Sequence, residues 1–268
     1  MRKKILVALG GDRGRMGNVL KKLISEADDM EIVARIDTAP RVGDVIGVDF
    51  GGVDCFFPED EDAERMVYVD FTQPDEVLDN IRDISEKGID SVIGTTGWYD
   101  KMKEMKAIAK WNERRILYAS NFSIGVNVLF AATEYVTKKL RSWSYDAGIL
   151  ELHNTGKKDS PSGTAQMLGS IVVNILSGKE KAVYERRNKR QDNEVDVLGG
   201  RVGSVTGWHR IVFSPESGDY ERLILEHSAS NRDAFGTGAI EGIRWIYRAK
   251  KRGKKPGVYE FRKDVLKL

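Results

Sequence analysis

Short apolar runs alternate with amphipathic stretches along the first half of the chain. The apolar runs, which suit buried strands, cover residues 4–9, 31–36, 66–70, 90–93 and 115–119. After the first run, Val19, Leu20, Leu23 and Ile24 recur at the three- and four-residue spacing of one helical face. Strands separated by helices predict an α/β unit with a doubly wound parallel sheet.

The pattern changes after residue 123. We predict a helix over 127–139, a strand over 147–153 that ends on His153, and a helix that begins near Pro161 with Ser160 as its N-cap. Strands then follow one another without helices over 181–187, 194–198, 201–204, 209–214 and 221–229, before a helix over 238–250. Such a run predicts a second α+β domain whose sheet is mainly antiparallel and open on one face.

These patterns divide the chain into two predicted domains. A dinucleotide-binding domain covers residues 1–127 and is completed by the segment 239–268. A substrate-binding and oligomerisation domain covers 128–238, and its open sheet face predicts a homo-oligomer.

Composition narrows the classes of function. Lys and Arg number 43 and Asp and Glu 41, so no overall positive charge favours nucleic acid. The chain has one cysteine, Cys55, and three histidines, and it has neither a Cys-x-x-Cys nor a His-Glu-x-x-His motif. We therefore expect no metal site. No apolar run is long enough to span a membrane and no signal peptide is visible, so we expect a cytoplasmic protein that does not bind membranes.

A glycine-rich turn follows the first strand. Gly11, Gly14 and Gly17 are spaced as a variant of the dinucleotide fingerprint, in which glycines allow a tight turn and close approach of the backbone to a pyrophosphate. Asp37 ends the second strand about twenty residues later, where an acid would bind the adenine ribose. Strand, turn, helix, strand and acid together predict a Rossmann-like fold that binds NAD(H) or NADP(H).

The choice between the two cofactors rests on the residues around Asp37. Its carboxylate would repel the 2′-phosphate of NADP(H) and favours NADH, whereas Arg35 and Arg41 could neutralise that phosphate. Two further loops, which follow later strands, are placed to line the nicotinamide pocket. The predicted cofactor contacts are Gly11, Asp12, Arg13, Gly14, Arg15, Met16, Asp37, Gly94, Thr95, Thr96, Ala119, Ser120, Asn121 and Phe122.

The stretch from Glu151 to Ala165 places a histidine, a lysine and a helix start close together. N–H groups in the first turn of a helix have no intrahelical acceptor, so Ser162, Gly163 and Thr164 can bind a carboxylate. His153 can titrate near neutral pH and can act as a proton donor. The stretch alone is equally compatible with an ordinary capped helix after a surface loop that leaves His153 in a structural role.

Motifs along nearly the whole chain are similar to those of the 4-hydroxy-tetrahydrodipicolinate reductase (dihydrodipicolinate reductase) family. In chain order they are Gly11-x-x-Gly14-Arg-Met-Gly17, Asp70-Phe-Thr-x-Pro74, Gly94-Thr-Thr-Gly97, Asn121-Phe-Ser-x-Gly-Val-Asn127, Glu151 to Ala165, Arg201-x-Gly-x-x-x-Gly207-x-His209, His227-x-Ala229-x-x-Arg232 and Gly257-x-Tyr-x-Phe-x-x-Asp-Val-Leu. The resemblance implies an enzyme of lysine and diaminopimelate biosynthesis that reduces a cyclic imine dicarboxylate with NADH or NADPH, and it implies a tetramer.

The resemblance also implies residue roles. His153 and Lys157 take the positions of the proton donors, and Asn154, Lys157, Ser162, Gly163 and Thr164 take those that hold the substrate. Asn154 stands where the family usually has a second histidine, so it can donate a hydrogen bond but carries no charge. Ser160 replaces the usual alanine, and Thr38 stands where some relatives carry a basic residue for the 2′-phosphate, which again favours NADH.

Two other functions remain open at this point. The chain could be a related imine reductase or an amino-acid or diamine dehydrogenase, for which Asn154 is the main argument. It could also be a dinucleotide-binding sensor without catalysis, although that reading predicts the loss of His153 or Lys157, and both are present.

Overall fold

A computed structural model describes residues 3–36, 64–185, 188–218 and 220–268. The chain forms two compact units. The first unit comprises residues 1–123 and 235–267, and the second unit comprises 124–234 together with Leu268. The boundaries predicted from the sequence, after residues 127 and 238, fall a few residues further along the chain.

The first unit contains a six-stranded sheet in the order β11-β5-β4-β3-β1-β2, and all its neighbouring pairs are parallel. Its strands are β1 (Ile5–Gly10), β2 (Met30–Ile36), β3 (Met66–Asp70), β4 (Asp90–Ile93), β5 (Arg115–Tyr118) and β11 (Gly257–Glu260). Its helices are α1 (Arg15–Ser25), α2 (Val77–Glu86), α3 (Met102–Trp111) and α6 (Asp233–Lys251). The short helices Tyr99–Lys101 and Phe261–Val265 also belong to it.

Alternation along β1 shows why this sheet is covered on both faces. Ile5, Val7 and Leu9 pack with α1 and α6, whereas Leu6 and Ala8 pack with α2 and α3. Successive side chains of a strand point to opposite faces, so a strand that is apolar throughout needs a helix layer on each side. The prediction of a doubly wound parallel sheet is confirmed.

The second unit packs two helices, α4 (Ile124–Leu140) and α5 (Gly163–Ile175), against one face of a five-stranded sheet. Its strands are β6 (Tyr145–His153), β7 (Lys181–Val183), β8 (Glu194–Arg201), β9 (Gly207–Pro215) and β10 (Leu223–Ala229). The core between helices and sheet includes Leu168, Val172, Val197, Ile211 and Phe213.

This second sheet is mixed, which corrects the expectation of a mainly antiparallel one. The order is β10-β9-β6-β8-β7, in which β9 runs antiparallel to β6 and β10, while β6 and β7 each run parallel to β8. The reason is α5, which returns the chain after β6 so that β7 and β8 run in the same direction as β6.

The predicted break between residues 198 and 201 is also wrong, because β8 continues through Gly199 and Gly200. Gly199 lies opposite Glu151 of β6, and a Cβ atom built on it would meet Ser160 Oγ at 2.8 Å and Glu151 Oε1 at 2.9 Å. The glycine here makes room for neighbouring side chains and does not form a turn. Among the residues that the structure describes, no helix has both the length and the apolar character needed to cross a membrane.

Candidate active site

The ends of the strands in the first unit bring the predicted cofactor loops to one edge. Gly10, Asp70, Ile93 and Tyr118 are aligned in register as the last residues of β1, β3, β4 and β5. The loops that begin at Gly11, Phe71, Gly94 and Ala119 therefore leave the sheet side by side. Ligands of open α/β sheets bind at this carboxyl edge.

The glycine turn is tight enough that side chains are excluded. Gly11 has a φ of +74°, and a Cβ atom on it would lie 2.2 Å from the carbonyl oxygen of Phe71. A Cβ atom on Gly17 would lie 2.4 Å from the carbonyl oxygens of Gly11 and Asp12. Gly14 is the N-cap of α1 and offers no side-chain cap, so the helix start can face an anion. This cradle fits a pyrophosphate.

The other predicted cofactor residues differ in exposure. Asp12 is buried with Lys21 Nζ 3.4 Å from its carboxylate, while Arg13 and Arg15 are exposed and Met16 is half-buried. Thr95, Ala119 and Phe122 are buried; Gly94 and Asn121 are half-buried; Thr96 and Ser120 are exposed. Asp37, like Thr38 and Arg41, lies outside the described residues.

The side chain of Asp70 connects two of these loops, those that begin at Phe71 and Gly94. Its buried carboxylate accepts hydrogen bonds from the Tyr68 hydroxyl at 2.8 Å, from Thr95 Oγ1 at 2.6 Å and from Asn80 Nδ2 at 3.2 Å. The backbone N–H and the hydroxyl of Thr72 donate to the other side of the same group. Burial, followed by the charge of Asp70, raises the pKa of the Tyr68 hydroxyl, which therefore remains a donor.

In the second unit, Glu151 and His153 lie on the same side of β6 because they are two residues apart. Glu151 Oε2 lies 3.0 Å from His153 Nδ1 and 3.6 Å from His209 Nε2. His209 is directly opposite Glu151 on the neighbouring strand β9, and the two imidazole rings meet edge to face with centroids 5.1 Å apart.

The Glu151 carboxylate is enclosed by donors. Oε1 accepts from the backbone N–H of Ser162 at 2.8 Å and from Arg201 Nη1 at 3.2 Å, and the Ser162 hydroxyl donates to Oε2. Burial opposes ionisation of this group, but the contacts with His153, His209 and Ser162 outweigh it and hold the pKa of Glu151 well below its ordinary value. Glu151 is therefore an ionised carboxylate inside the protein.

The three histidines form a row across three strands. His227 of β10 lies opposite His209 of β9, which adjoins His153 of β6. Burial lowers the pKa of His209 against the opposing effect of Glu151, and burial together with His209 lowers the pKa of His227. His209 and His227 are consequently neutral at pH 7.

A glycine keeps one side of His153 open. A Cβ atom on Gly207 would lie 3.1 Å from His153 Nε2, which is closer than a carbon atom normally approaches. Gly207 therefore leaves space beside the ring nitrogen that faces away from Glu151.

Lys157 lies in the loop after β6, and its ammonium group is held by Asp159 at 2.8 Å and 2.9 Å. Arg201 joins this loop to Glu151, since Nε donates to the Lys157 carbonyl at 3.3 Å and Nη2 donates to the Asp159 carbonyl. Asn154 serves the same loop: its Oδ1 accepts from the N–H of Gly156 at 3.2 Å, and its Nδ2 donates to the Val205 carbonyl at 3.4 Å.

The helix after this loop begins later than predicted. Its first residue is Gly163 and its N-cap is Ser162, not Ser160, because the Ser162 hydroxyl accepts the N–H of Ala165 at 3.3 Å. The Ser162 N–H is already bound to Glu151, so it does not face a ligand. Gly163 borders open space, since a Cβ atom on it would meet no other atom within 4 Å.

Glu151, Arg201 and His209 are the residues of this site that the sequence did not identify. The two-residue spacing of Glu151 and His153 placed them on one face of a strand, and Arg201 and His209 belong to motifs that are visible in the chain. Their convergence depends on the register of β6 with β8 and β9, and the sequence contains no signal for that register.

Ligand atoms of Glu151, His153 and His209 lie within 4.8 Å of one another, a grouping that could in principle hold a metal ion. Arg201 and Ser162 already occupy both carboxylate oxygens, however, and a divalent cation would have to share Glu151 with a guanidinium group. The absence of a metal ion from the site stays a prediction. The geometry suits an anionic ligand that is held near Lys157 and Gly163 and receives a proton from an imidazole.

Two family models cover most of the chain. The model described as "Dihydrodipicolinate reductase, N-terminus" matches residues 5–122, and "Dihydrodipicolinate reductase, C-terminus" matches residues 125–266.

Relatives and a solved structure agree with these matches. The chain is 35% identical to the 4-hydroxy-tetrahydrodipicolinate reductase of Methanocaldococcus jannaschii, with 95% of each chain covered. It is 34% identical to that of Methanococcus aeolicus, with 98% of this chain and 99% of the relative covered. The fold is similar, with a TM-score of 0.68 and 21% identity, to a dipicolinate-bound dihydrodipicolinate reductase from Paenisporosarcina sp. TG-14, over 98% of this chain and 100% of the other.

Proposed function

The chain belongs to the dihydrodipicolinate reductase family, and on that premise we propose how its residues share the work of the reaction. It is an NAD(P)H-dependent oxidoreductase that reduces 4-hydroxy-tetrahydrodipicolinate to tetrahydrodipicolinate, in lysine and diaminopimelate biosynthesis. In this reaction a hydride and a proton enter the substrate and a water leaves it. The bound reduced nicotinamide supplies the hydride.

The carboxyl edge of the first sheet holds the cofactor. The turn at Gly11, Gly14 and Gly17 takes the pyrophosphate, because its backbone is packed too tightly to admit side chains and can therefore approach the phosphates closely. The loops at Gly94–Thr96 and Ala119–Phe122 leave the same edge and line the nicotinamide pocket.

His153 gives the proton and Lys157 binds a substrate carboxylate. One observation carries this assignment: His153 lies beside the ionised, buried Glu151, with its second ring nitrogen next to the space left by Gly207. Lys157 exchanges Asp159 for the substrate carboxylate, and Gly163 and Thr164 at the start of α5 bind the substrate as well. Asn154 fixes the loop that carries Lys157, through the hydrogen bond that its Oδ1 accepts from Gly156, and its amide group can also donate to the substrate.

Steady-state kinetics test these roles. We expect His153→Gln to lower kcat by about 10²- to 10⁴-fold, which is the range for loss of general acid catalysis, with little effect on NADH binding. Lys157→Ala should mainly raise KM and weaken the binding of dipicolinate, a planar dicarboxylate. Full activity of both variants would contradict the assignment.

The same assay addresses the alternative activity. Freshly generated 4-hydroxy-tetrahydrodipicolinate should support NAD(P)H oxidation, whereas amino acids or diamines with NAD⁺ should give no turnover. Turnover of an amino acid without activity on the dicarboxylate would favour the dehydrogenase reading.

We also propose that NADH is preferred to NADPH. Asp37 directly follows Ile36, the last residue of β2, and its charge opposes a 2′-phosphate. Titration of both cofactors should give a lower Kd for NADH, and Asp37→Asn should narrow the difference. If NADPH binds as tightly as NADH, the preference is refuted, and Arg41 or Arg35, of which Arg35 is exposed, compensates for the charge of Asp37.

A homo-oligomer, a tetramer by family resemblance, is the proposed assembly. Leu150, Leu198 and Ile224 are 39%, 40% and 47% exposed, and Leu150 lies opposite Leu198 in the sheet. Light scattering should show that Leu150→Asp combined with Leu198→Asp lowers the molar mass. Trp111→Ser, which alters an exposed aromatic residue of the first unit, serves as the control. An unchanged mass in the double variant would exclude this face as the interface.

A further inference from the structure

We propose that Glu151 is a positioning residue that orients His153 for proton transfer. Its carboxylate holds the imidazole with Nδ1 turned inward, so that Nε2 is the nitrogen that exchanges the proton with the substrate. The inference deepens the proposed function and rests on the role of His153 given there.

The distances determine which nitrogen faces Glu151. His153 Nδ1 lies 3.0 Å from Glu151 Oε2, and Nε2 lies on the side where Gly207 leaves space. This is an ion-pair contact that does not meet hydrogen-bond geometry, and the negative charge beside Nδ1 favours a hydrogen on that nitrogen over a lone pair. Neutral His153 is then the Nδ1–H tautomer, whose Nε2 is free to take up and release a proton.

His209 is not suited to the same task. Its Nε2 points inward, 3.6 Å from Glu151 Oε2 and 3.3 Å from Ser162 Oγ, and burial lowers its pKa. It is a second neutral neighbour of the carboxylate that packs against the His153 ring.

Glu151 is itself fixed by groups from two other elements. Ser162 at the start of α5 donates through its N–H and its hydroxyl, and Arg201 of β8 donates at 3.2 Å. Arg201 also donates to the carbonyl groups of Lys157 and Asp159. One carboxylate therefore connects the imidazole, the helix start and the loop that carries Lys157.

The charged and titratable groups around His153 come from every neighbouring element. Glu151 contributes a negative charge from β6 and Arg201 a positive one from β8, while Lys157 and Asp159 form an ion pair in the loop. His209 on β9, with His227 beyond it on β10, completes the set. Glu151 is the one of these groups that contacts His153 Nδ1 in the described part of the chain.

The proposed step balances without a further reactant. The Nε2–H bond of the imidazolium breaks and its proton passes to the substrate, which also accepts the hydride that the reduced nicotinamide would supply, and the 4-hydroxyl group of the substrate leaves as water. His153 is left as the Nδ1–H neutral form, held by Glu151, and Nε2 regains a proton from solvent before the next turnover.

A double-mutant cycle on kcat tests the connection. Glu151→Gln keeps the shape of the side chain and removes its charge, and we expect kcat to fall at least tenfold while KM and the Kd for NADH change less than threefold. Combined with His153→Gln, it should cause no further loss beyond about twofold, because its effect passes through His153. Asp146→Asn is the matched control: Asp146 lies at the other end of β6, where Lys179 and Arg190 bind it. It should retain full kcat.

A direct measurement reads the tautomer in the unaltered protein and uses variants only to assign the signals. In the unaltered full-length protein labelled with ¹⁵N-histidine, long-range ¹H–¹⁵N correlation spectra report the tautomer of each ring, and the three histidines are assignable by single substitution. We expect neutral His153 to be protonated at Nδ1 and bare at Nε2. The proposal would be overturned by the opposite tautomer of His153. It would also be overturned if the fall in kcat of the double variant equalled the product of the falls in the two single variants. If the unaltered protein does not reduce the dicarboxylate at all, the proposed function fails while the tautomer result still stands.

Discussion

At the scale of single residues, Asp70 accepts several hydrogen bonds at the carboxyl edge of the first sheet, as Glu151 does in the second unit. Five donor groups from Tyr68, Thr72, Asn80 and Thr95 converge on its carboxylate. A carboxylate suits this position because it only accepts, and every neighbour there donates. The loop at Thr95 is therefore held to the end of β3 by one side chain.

Replacing this acceptor should damage both stability and cofactor binding. Asp70→Asn places an amide donor against donors in a buried site, so we expect urea unfolding to show a loss of about 2–3 kcal/mol. The Kd for NADH should rise at the same time. Asp79→Asn, at an exposed ion pair with Arg82, should change the free energy of unfolding by less than about 0.5 kcal/mol. Equal stability of the two variants would contradict the role of Asp70.

Gly207 allows a test of the space beside His153. Gly207→Ala adds a carbon atom 3.1 Å from Nε2, so the ring must move or its path to the substrate narrows. We expect kcat to fall at least tenfold without a change in NADH binding. Gly148→Ala on β6, where a Cβ atom meets nothing within 4 Å, should keep normal kcat.

At the scale of elements, a substitution at the start of α5 can test ligand binding without destabilising the helix. A Cβ atom on Gly163 meets no protein atom within 4 Å, and alanine favours a helix more than glycine does by up to about 1 kcal/mol. Gly163→Ala should therefore leave the melting temperature unchanged or slightly raised, while the Kd for dipicolinate and the KM for substrate rise. Ser170→Ala, an exposed position of the same helix, should alter none of these quantities. Unchanged ligand binding in Gly163→Ala would place the dicarboxylate elsewhere.

Because of His209 and His227, we expect the free energy of unfolding of the second unit to depend on pH. Folding lowers the pKa of His209 and His227 below 6.5, so below about that pH the unfolded chain binds more protons than the folded one. The free energy of unfolding should fall as the pH decreases from 7 towards 5. We expect His227→Gln to reduce this slope in urea unfolding followed by circular dichroism. If the free energy of unfolding changed with pH by the same amount in the unaltered protein and in His227→Gln, a contribution of His227 would be refuted.

The elements also show what the sequence could and could not specify. Apolar runs predicted the strands of the first sheet, because burial on both faces leaves a continuous signal. The sequence predicts Ser160 as the cap of α5 because Pro161 after it is a good first helical residue, whereas the cap is Ser162, which also contacts Glu151, eleven residues earlier in the chain. The break in β8 was predicted because Gly199 and Gly200 resemble a turn when the neighbouring strand is unknown.

At the scale of the whole molecule, the order of strands and motifs along the chain predicted the fold and the family, and two family models and a relative at 35% identity confirm the family. His153, Lys157, Gly163 and the glycine turn stood out because their chemistry is visible locally. The partners of His153 did not, because Arg201 and His209 approach it through strand pairing between residues far apart in the chain. Long-range register is the information that the linear pattern lacks.

The first unit is assembled from two separate stretches of chain, and this has a consequence for synthesis. Strand β11 (Gly257–Glu260) pairs with β5 (Arg115–Tyr118), and α6 covers the same sheet. As the chain leaves the ribosome, residues 124–234 are all made before that strand appears, so the second unit can fold while the edge of β5 is still bare. The first unit therefore begins to emerge first but is completed last. Until β11 is made, the exposed edge of β5 is the part of the nascent chain that has most need of protection from aggregation.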